Sequence, residues 1–176
     1  MIQPAERLTL DTPDDLYLSL ITADDAVDIR TYMNDNPSVM RNAPEGMQVS
    51  EYRAGRIVEQ NLYDIQIGLK APYLLRQPDE AVIGYMELEQ RDVYAAASYS
   101  VAEAVRGRGL AGLALSRLIQ QGQERRGLQR VGFWIEAVNI ASQSVAHKLG
   151  ATHHKTVNDG ELTGEDVTLQ YWEKAL

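Results

Sequence analysis

One stretch, Val105-Arg106-Gly107-Arg108-Gly109-Leu110-Ala111, constrains this chain more than any other. Before it, Val93 to Val101 reads as a strand. After it, Leu110 to Arg126 reads as a helix. A glycine-rich turn between a strand and a helix is an arrangement that cradles phosphate. Glycine has no Cβ, so ligand oxygens can approach the backbone closely. The unpaired N–H groups of the first helical turn point at one place, and the helix dipole adds partial positive charge there. Arg106 and Arg108 add full charges.

Several phosphate-binding loops share this outline. A Walker loop needs Gly-Lys-Ser/Thr at its end, and here Leu110-Ala111 follows Gly109. Gly107, Gly109 and Gly112 match a dinucleotide fingerprint literally, but Arg130-Val131 stands where the acidic partner is sought. A turn that merely reverses the chain is the plain alternative. The pattern that fits best is Arg106-x-x-Gly109-x-Ala111.

The rest of the chain supplies an alternation of strands and helices. Leu16 to Ile21 reads as a first strand, and Thr22 caps a helix with Asp24 and Asp25 in its first turn. Asn36-Pro37 ends that helix. Ser50 caps a second helix from Glu51 to about Leu69, with Ile57, Val58, Leu62, Ile65 and Leu69 at helical spacing and Gly68 and Pro72 at its end. Strands follow at Pro72 to Arg76, Ala81 to Glu89 and Val93 to Val101, joined by short turns that imply antiparallel neighbours. Gln129 to Ala137 is reached through a helix, so it is expected to run parallel to the strand before the loop. Ala141 to Leu149 reads as a short helix. Ala151 to Val157 and Glu165 to Trp172 form a terminal hairpin around Asn158-Asp159-Gly160 and Gly164. This pattern predicts an α/β fold in one domain, residues 1–176, with a twisted mixed sheet of about seven strands and helices on both faces.

Arg106-x-x-Gly109-x-Ala111 resembles the Gln/Arg-x-x-Gly-x-Gly/Ala motif of the GNAT superfamily of N-acetyltransferases. Asn139-Ile140-Ala141-Ser142 followed by Lys148-Leu149-Gly150 resembles that family's Asn-x-x-Ser/Ala and Lys-Leu-Gly-Phe. With Gly84-Tyr85 and Tyr99, the chain is similar to the RimJ/RimL branch, from about Ala81 to Leu149. The resemblance implies a GNAT-like fold and acetyl-CoA as co-substrate. It implies a pyrophosphate site at Arg106, Gly107, Arg108, Gly109, Leu110 and Ala111, and a pantetheine arm held by Val101 and Asn139. Such an arm carries amides and can pair with strand backbone as a short pseudo-strand. The acceptor implied is a primary amine, on a protein N-terminus or a small molecule. Two positions depart from the family: Ala146 stands where many members carry a proton-donating tyrosine, and Ala151 replaces the phenylalanine. The first departure leaves a non-catalytic CoA-binding sensor or assembly domain as the alternative. Ser142 is either the acid for the departing thiolate, as in parts of the branch, or a helix cap.

An α-amino group, with a pKa of about 7.7–8.0, needs little help to attack as a free amine, whereas a lysine at about 10.4 needs a base. Glu136 is one candidate base, and Glu87 and Glu89 are others. Tyr94, Tyr99 and Trp134 are candidates to line the acceptor pocket, while Tyr63, Tyr171 and Trp172 are assigned to packing. His147, His153 and His154 lack zinc-ligand spacing, so no metal is expected. The net charge of -8 argues against nucleic acid. No run is long enough to span a membrane, and Met1 to Asp14 has no signal-peptide pattern. With no cysteine, the default expectation is a cytoplasmic enzyme, and a homodimer is left open.

Overall fold

The computed structural model describes residues 7–40, 46–158 and 167–176. Eight strands form one sheet: β1 (Arg7–Thr9), β2 (Tyr17–Leu20), β3 (Lys70–Arg76), β4 (Val82–Arg91), β5 (Tyr94–Val101), β6 (Arg130–Glu136), β7 (Thr152–Asn158) and β8 (Thr168–Ala175). Among the described residues the α-helices are α1 (Ala26–Asp35), α2 (Glu51–Gln66), α3 (Leu110–Arg126) and α4 (Ile140–Lys148). The sheet order is β1-β2-β3-β4-β5-β6-β8-β7. Every neighbouring pair is antiparallel except β5 and β6, which are parallel as the intervening helix requires. No helix among the described residues is long and apolar enough to cross a membrane.

The sheet has one strand more than the sequence pattern predicts. The addition is β1, three residues whose single buried side chain is Leu8. One apolar residue carries no periodicity, and β1 becomes a strand only by pairing with β2. The second helix stops before Leu69. Gly68 enters the left-handed region at φ +73°, its N–H donates to Ile65 O, and the Leu69 N–H donates to Asp64 O. The turn of the terminal hairpin, residues 159–166, lies outside the described residues.

Helices cover both faces. On β3, Tyr73 points to one side and donates from its hydroxyl to Gln121 of α3 at 3.1 Å. Leu74 points to the other and packs with Ile21, Ile29 of α1 and Val58 of α2. Alternation along the neighbouring strands extends both layers. Met86, Ala95, Val131, Phe133 and Ile135 share a core cluster with Leu115, Leu118 and Ile119 of α3.

Two tertiary devices fix the parts that bear on the site. The first is Arg76, only 5% exposed. Its Nε donates to Ser19 Oγ at 2.9 Å, its Nη1 to Asp28 at 2.7 Å and Glu80 O at 2.6 Å, and its Nη2 to buried Asp25. Asp25 in turn accepts from the Thr22 N–H at 2.6 Å, which is the cap that starts the turn into α1. One guanidinium thus joins β2, β3 and the entry of α1. The second is Gly132, the last residue of β6 that pairs with β5. A Cβ there would lie 2.2 Å from Tyr94 Oη and 2.8 Å from the Tyr171 ring. Tyr94 of β5 reaches over β6 through that space and shares a hydrogen bond with Tyr171 of β8.

Two outcomes follow for stability. Arg76→Leu leaves the Asp25 carboxylate buried without its cation, and is expected to cost about 3–5 kcal/mol in urea unfolding. Adding Asp25→Asn to it should recover part of that loss, so the double variant is more stable than additive costs predict. Gly132→Ala should cost about 1–3 kcal/mol by overpacking. Tyr94→Phe removes the atom that the new Cβ meets, so the Gly132→Ala penalty should shrink in that background.

Candidate active site

The parallel ladder is short. It joins Tyr94 to Arg130, Ala95 to Val131 and Ala96 to Gly132, and then stops. β5 continues to Val101 along β4, and β6 continues to Glu136 along β8, so the two strands separate while each keeps its outer neighbour. The Ala102 N–H donates to Ile83 O on the β4 side. Alternation of backbone direction therefore turns the N–H and C=O groups of Tyr99 and Val101 toward the gap. A cleft of about 390 Å³ opens there.

The glycine loop stands at one mouth of the gap. Gly107 and Gly109 are both left-handed, at φ +76° and +78°, and open space surrounds both. Gly109 is the N-cap of α3 and gives it no side-chain cap. The first N–H groups of this 17-residue helix are thus left to whatever occupies the loop. Both loop arginines have protein partners. Arg106 Nε donates to Val101 O at 3.1 Å, and its Nη2 donates to Ser38 Oγ at 2.7 Å. Arg108 pairs with Asp14 at the β1–β2 turn, at 2.5 Å and half exposed. Neither pairing is visible in the sequence, because Ser38 and Asp14 are 68 and 94 residues away.

The other strand brings α4. Asn139 is its N-cap, and the Ser142 N–H donates to Asn139 Oδ1 at 3.0 Å. Asn139 therefore does the capping, and Ser142 sits in the first turn with its side chain lining the cleft. Ala146, one turn on, is fully buried, so no hydroxyl faces the gap from that position. Tyr99 crosses the gap from β5 and its hydroxyl approaches Ser142 O at 3.4 Å. Burial raises its pKa, so the phenol keeps its proton at neutral pH.

Of the three glutamates weighed as bases, Glu136 lines the cleft. Glu87 is buried beneath α2, where it accepts from the Tyr85 hydroxyl and lies 3.4 Å from Lys70. Burial and that adjacent carboxylate push the Tyr85 phenol far up. Glu89 pairs with Arg91 at 2.8 Å. The structure thus places one of the three in the cleft and leaves the other two outside it, beside Lys70 and Arg91.

The gap has two unlike sides. Phe133, Ile135, Tyr99 and Ser142 face it from the side of α3 and α4. Ser98, Ser100 and Trp134 face it from the side of α1 and α2, with Ser38 and Val39. The Tyr32 hydroxyl, on α1, is 2.9 Å from Ser100 Oγ. Trp134 lines the cleft as expected, and Tyr94 instead lies over Gly132. Tyr171, assigned to packing, stacks on Trp134 at 4.9 Å between centroids. Tyr63, assigned likewise, is exposed on α2 at 56%. His153 and His154 are within hydrogen-bond distance of Thr156 and Thr152.

Comparison with known proteins places this geometry. Among curated proteins none matches the chain in sequence. Solved structures do match in fold. Ribosomal-protein-S5-alanine acetyltransferase from Vibrio fischeri is 16% identical, with 96% of each chain covered and a TM-score of 0.82. RimJ from Mycobacterium smegmatis, solved with CoA-disulfide, is 16% identical, with 96% of this chain and 86% of that one covered and a TM-score of 0.82. RimL, a ribosomal L7/L12 α-N-protein acetyltransferase solved with coenzyme A, is 17% identical, with 92% and 94% covered and a TM-score of 0.80. The family model for the acetyltransferase (GNAT) domain matches residues 15–152, which span the glycine loop, the diverging strands and α4. The chain belongs to the GNAT acetyltransferase family.

Proposed function

We propose that this protein transfers an acetyl group from acetyl-CoA to a primary amine by direct attack on the thioester. The observation that carries the reading is the gap between β5 and β6, with an uncapped helix start at one mouth and a polar wall on the opposite side. RimL and RimJ, which share the fold, were solved with coenzyme A and with CoA-disulfide. The protein N-terminus is the acceptor class that fits the names of those neighbours, and a cytoplasmic site of action fits ribosomal substrates.

The residues fit the co-substrate. The amides of the 106–111 loop face phosphate at a positive helix end. The backbone of Tyr99 and Val101 offers hydrogen bonds to the arm, and Asn139 keeps its Nδ2 for a further one after capping α4 with Oδ1. Acetyl-CoA supplies the activated carbonyl. The amine nitrogen bonds to the carbonyl carbon, the C–S bond breaks, and the thiolate takes a proton. Ser142 passes that proton to sulfur while regaining one from water, and Glu136 accepts the proton lost by the amine. A thiol with a pKa near about 8.5 leaves tolerably well without help, so the acid offers only part of the acceleration.

Mass-resolved acetylation of a panel of peptides and amines tests the reaction. Acetylated product with acetyl-CoA as donor is expected. A melting shift with CoA but no product from any amine would favour the non-catalytic reading.

Two variants test the assigned residues. Gly109→Val puts a β-branched side chain at φ +78° beside the amides. Most of the CoA-induced melting shift should vanish in a variant that still unfolds cooperatively. Equal shifts in wild type and variant would remove the loop from the binding site. Ser142→Ala should lower kcat by about 10-fold or more with little change in acetyl-CoA binding, the pattern of a contact made in the transition state. An unchanged kcat would show that the thiolate departs without this hydroxyl.

A further inference from the structure

We infer that the acceptor carries a carboxylate near its amine, and that Lys155 pairs with it at the mouth of the cleft. This rests on the acetyl-transfer reading and names the class of amine.

The inference begins with a row of three side chains. Trp134 of β6 pairs in register with Tyr171 of β8, which pairs with Lys155 of β7. Cross-strand partners share a face, so all three stand on the side of the sheet that holds Ser98 and Ser100. Trp134 is 46% exposed and lines the cleft. The Lys155 ammonium lies 5.4 Å from the centroid of its ring and 6.0 Å from that of Tyr171. An ammonium drawn onto ring faces keeps N–H donors directed away from them.

A bulge makes this row. The pairing of β7 with β8 shifts between His153 and Lys155. Without that shift His154 would stand opposite Tyr171. The extra residue puts a lysine there instead of a histidine, and bulges commonly re-aim a side chain beside a site.

Lys155 shares with Lys148 and Lys174 the lack of an ion pair among the described residues, and differs from paired cations in standing beside Trp134. The chain has 25 acidic residues and a net charge of -8. Exposed Arg56, Arg91 and Arg108 each have a carboxylate within 4 Å. Among the described residues no carboxylate pairs with Lys155. No aspartate or glutamate occurs from Ala137 to Asn158, and the nearest acids on the same face are Glu136 of β6 and Glu173 of β8, neither within 4 Å of the ammonium. A cation held over the cleft's aromatic wall, with no described carboxylate paired to it, is matched by an anion that the acceptor brings. The carboxylate belongs either to a small amino acid or to an acidic side chain near a peptide's N-terminus.

The test compares initial rates on matched pairs with acetyl-CoA as donor. One arm pairs γ-aminobutyrate with its carboxamide, and the other pairs Ala-Asp-Gly amide with Ala-Asn-Gly amide. The readout is the ratio of kcat/KM for the anionic member to that for the neutral one. Wild type should favour the anionic member in at least one arm, and the arm identifies the source. Lys155→Met keeps the stem on the rings and removes the charge, and should lower that ratio by about 5-fold, or about 1 kcal/mol for a partly exposed ion pair. Lys155→Arg should keep the preference. A ratio that does not change in Lys155→Met, or a wild type that favours neutral amines in both arms, overturns the inference and leaves acetyl transfer standing. Absence of product from every amine overturns the transfer reading, and this inference with it.

Discussion

Three residue pairs hold β5 to β6, and everything proposed for the site depends on there being no fourth. Buried backbone groups seldom go without hydrogen bonds, so two strands that part company leave a demand to be met. Here the outer ladders to β4 and β8 continue past the parting and keep each strand straight. The Tyr94–Tyr171 contact over Gly132 marks the vertex, where only a residue without a Cβ lets one strand's side chain reach the next strand but one. The gap is thus a built feature with a fixed origin.

The two sides of the gap are furnished by different parts of the chain. The side of α3 and α4 is assembled almost wholly from residues 99–142, within one strand–loop–helix–strand unit. The side of α1 and α2 draws on segments far apart in sequence, and their placement depends on the buried Arg76 and Asp25. This division lets one surface keep a constant task while the other varies.

Much of this was legible in the sequence, for reasons that can be named. The glycine loop, the parallel register of β5 and β6 and the starts of α2 and α3 follow from local chemistry: turn glycines, caps and the handedness of a strand–helix–strand crossover. What could not be read is whatever depends on distant residues meeting. β1 exists only through its partner. Ser142 reads in sequence as acid or helix cap, and the cap of α4 is instead Asn139, whose side-chain oxygen accepts from the Ser142 N–H. Glu87 and Glu89 look like Glu136 on paper and differ in place: Glu136 lines the cleft, whereas Glu87 meets Lys70 and Tyr85 and Glu89 meets Arg91 outside it. Tyr171 and Lys155 became notable only when a bulge and a strand order set them beside Trp134.

Arg106 has a consequence of its own. A single guanidinium bonds the last carbonyl of β5 and the hydroxyl of Ser38, so it belongs at once to the glycine loop and to the opposite wall. A ligand that draws Arg106 toward the loop does so at the expense of the Ser38 bond, and a ligand that strengthens the Ser38 wall makes Arg106 less available. Linkage makes the two effects equal in free energy. Occupancy on one side of the gap is therefore felt on the other through the divided bonding of one side chain.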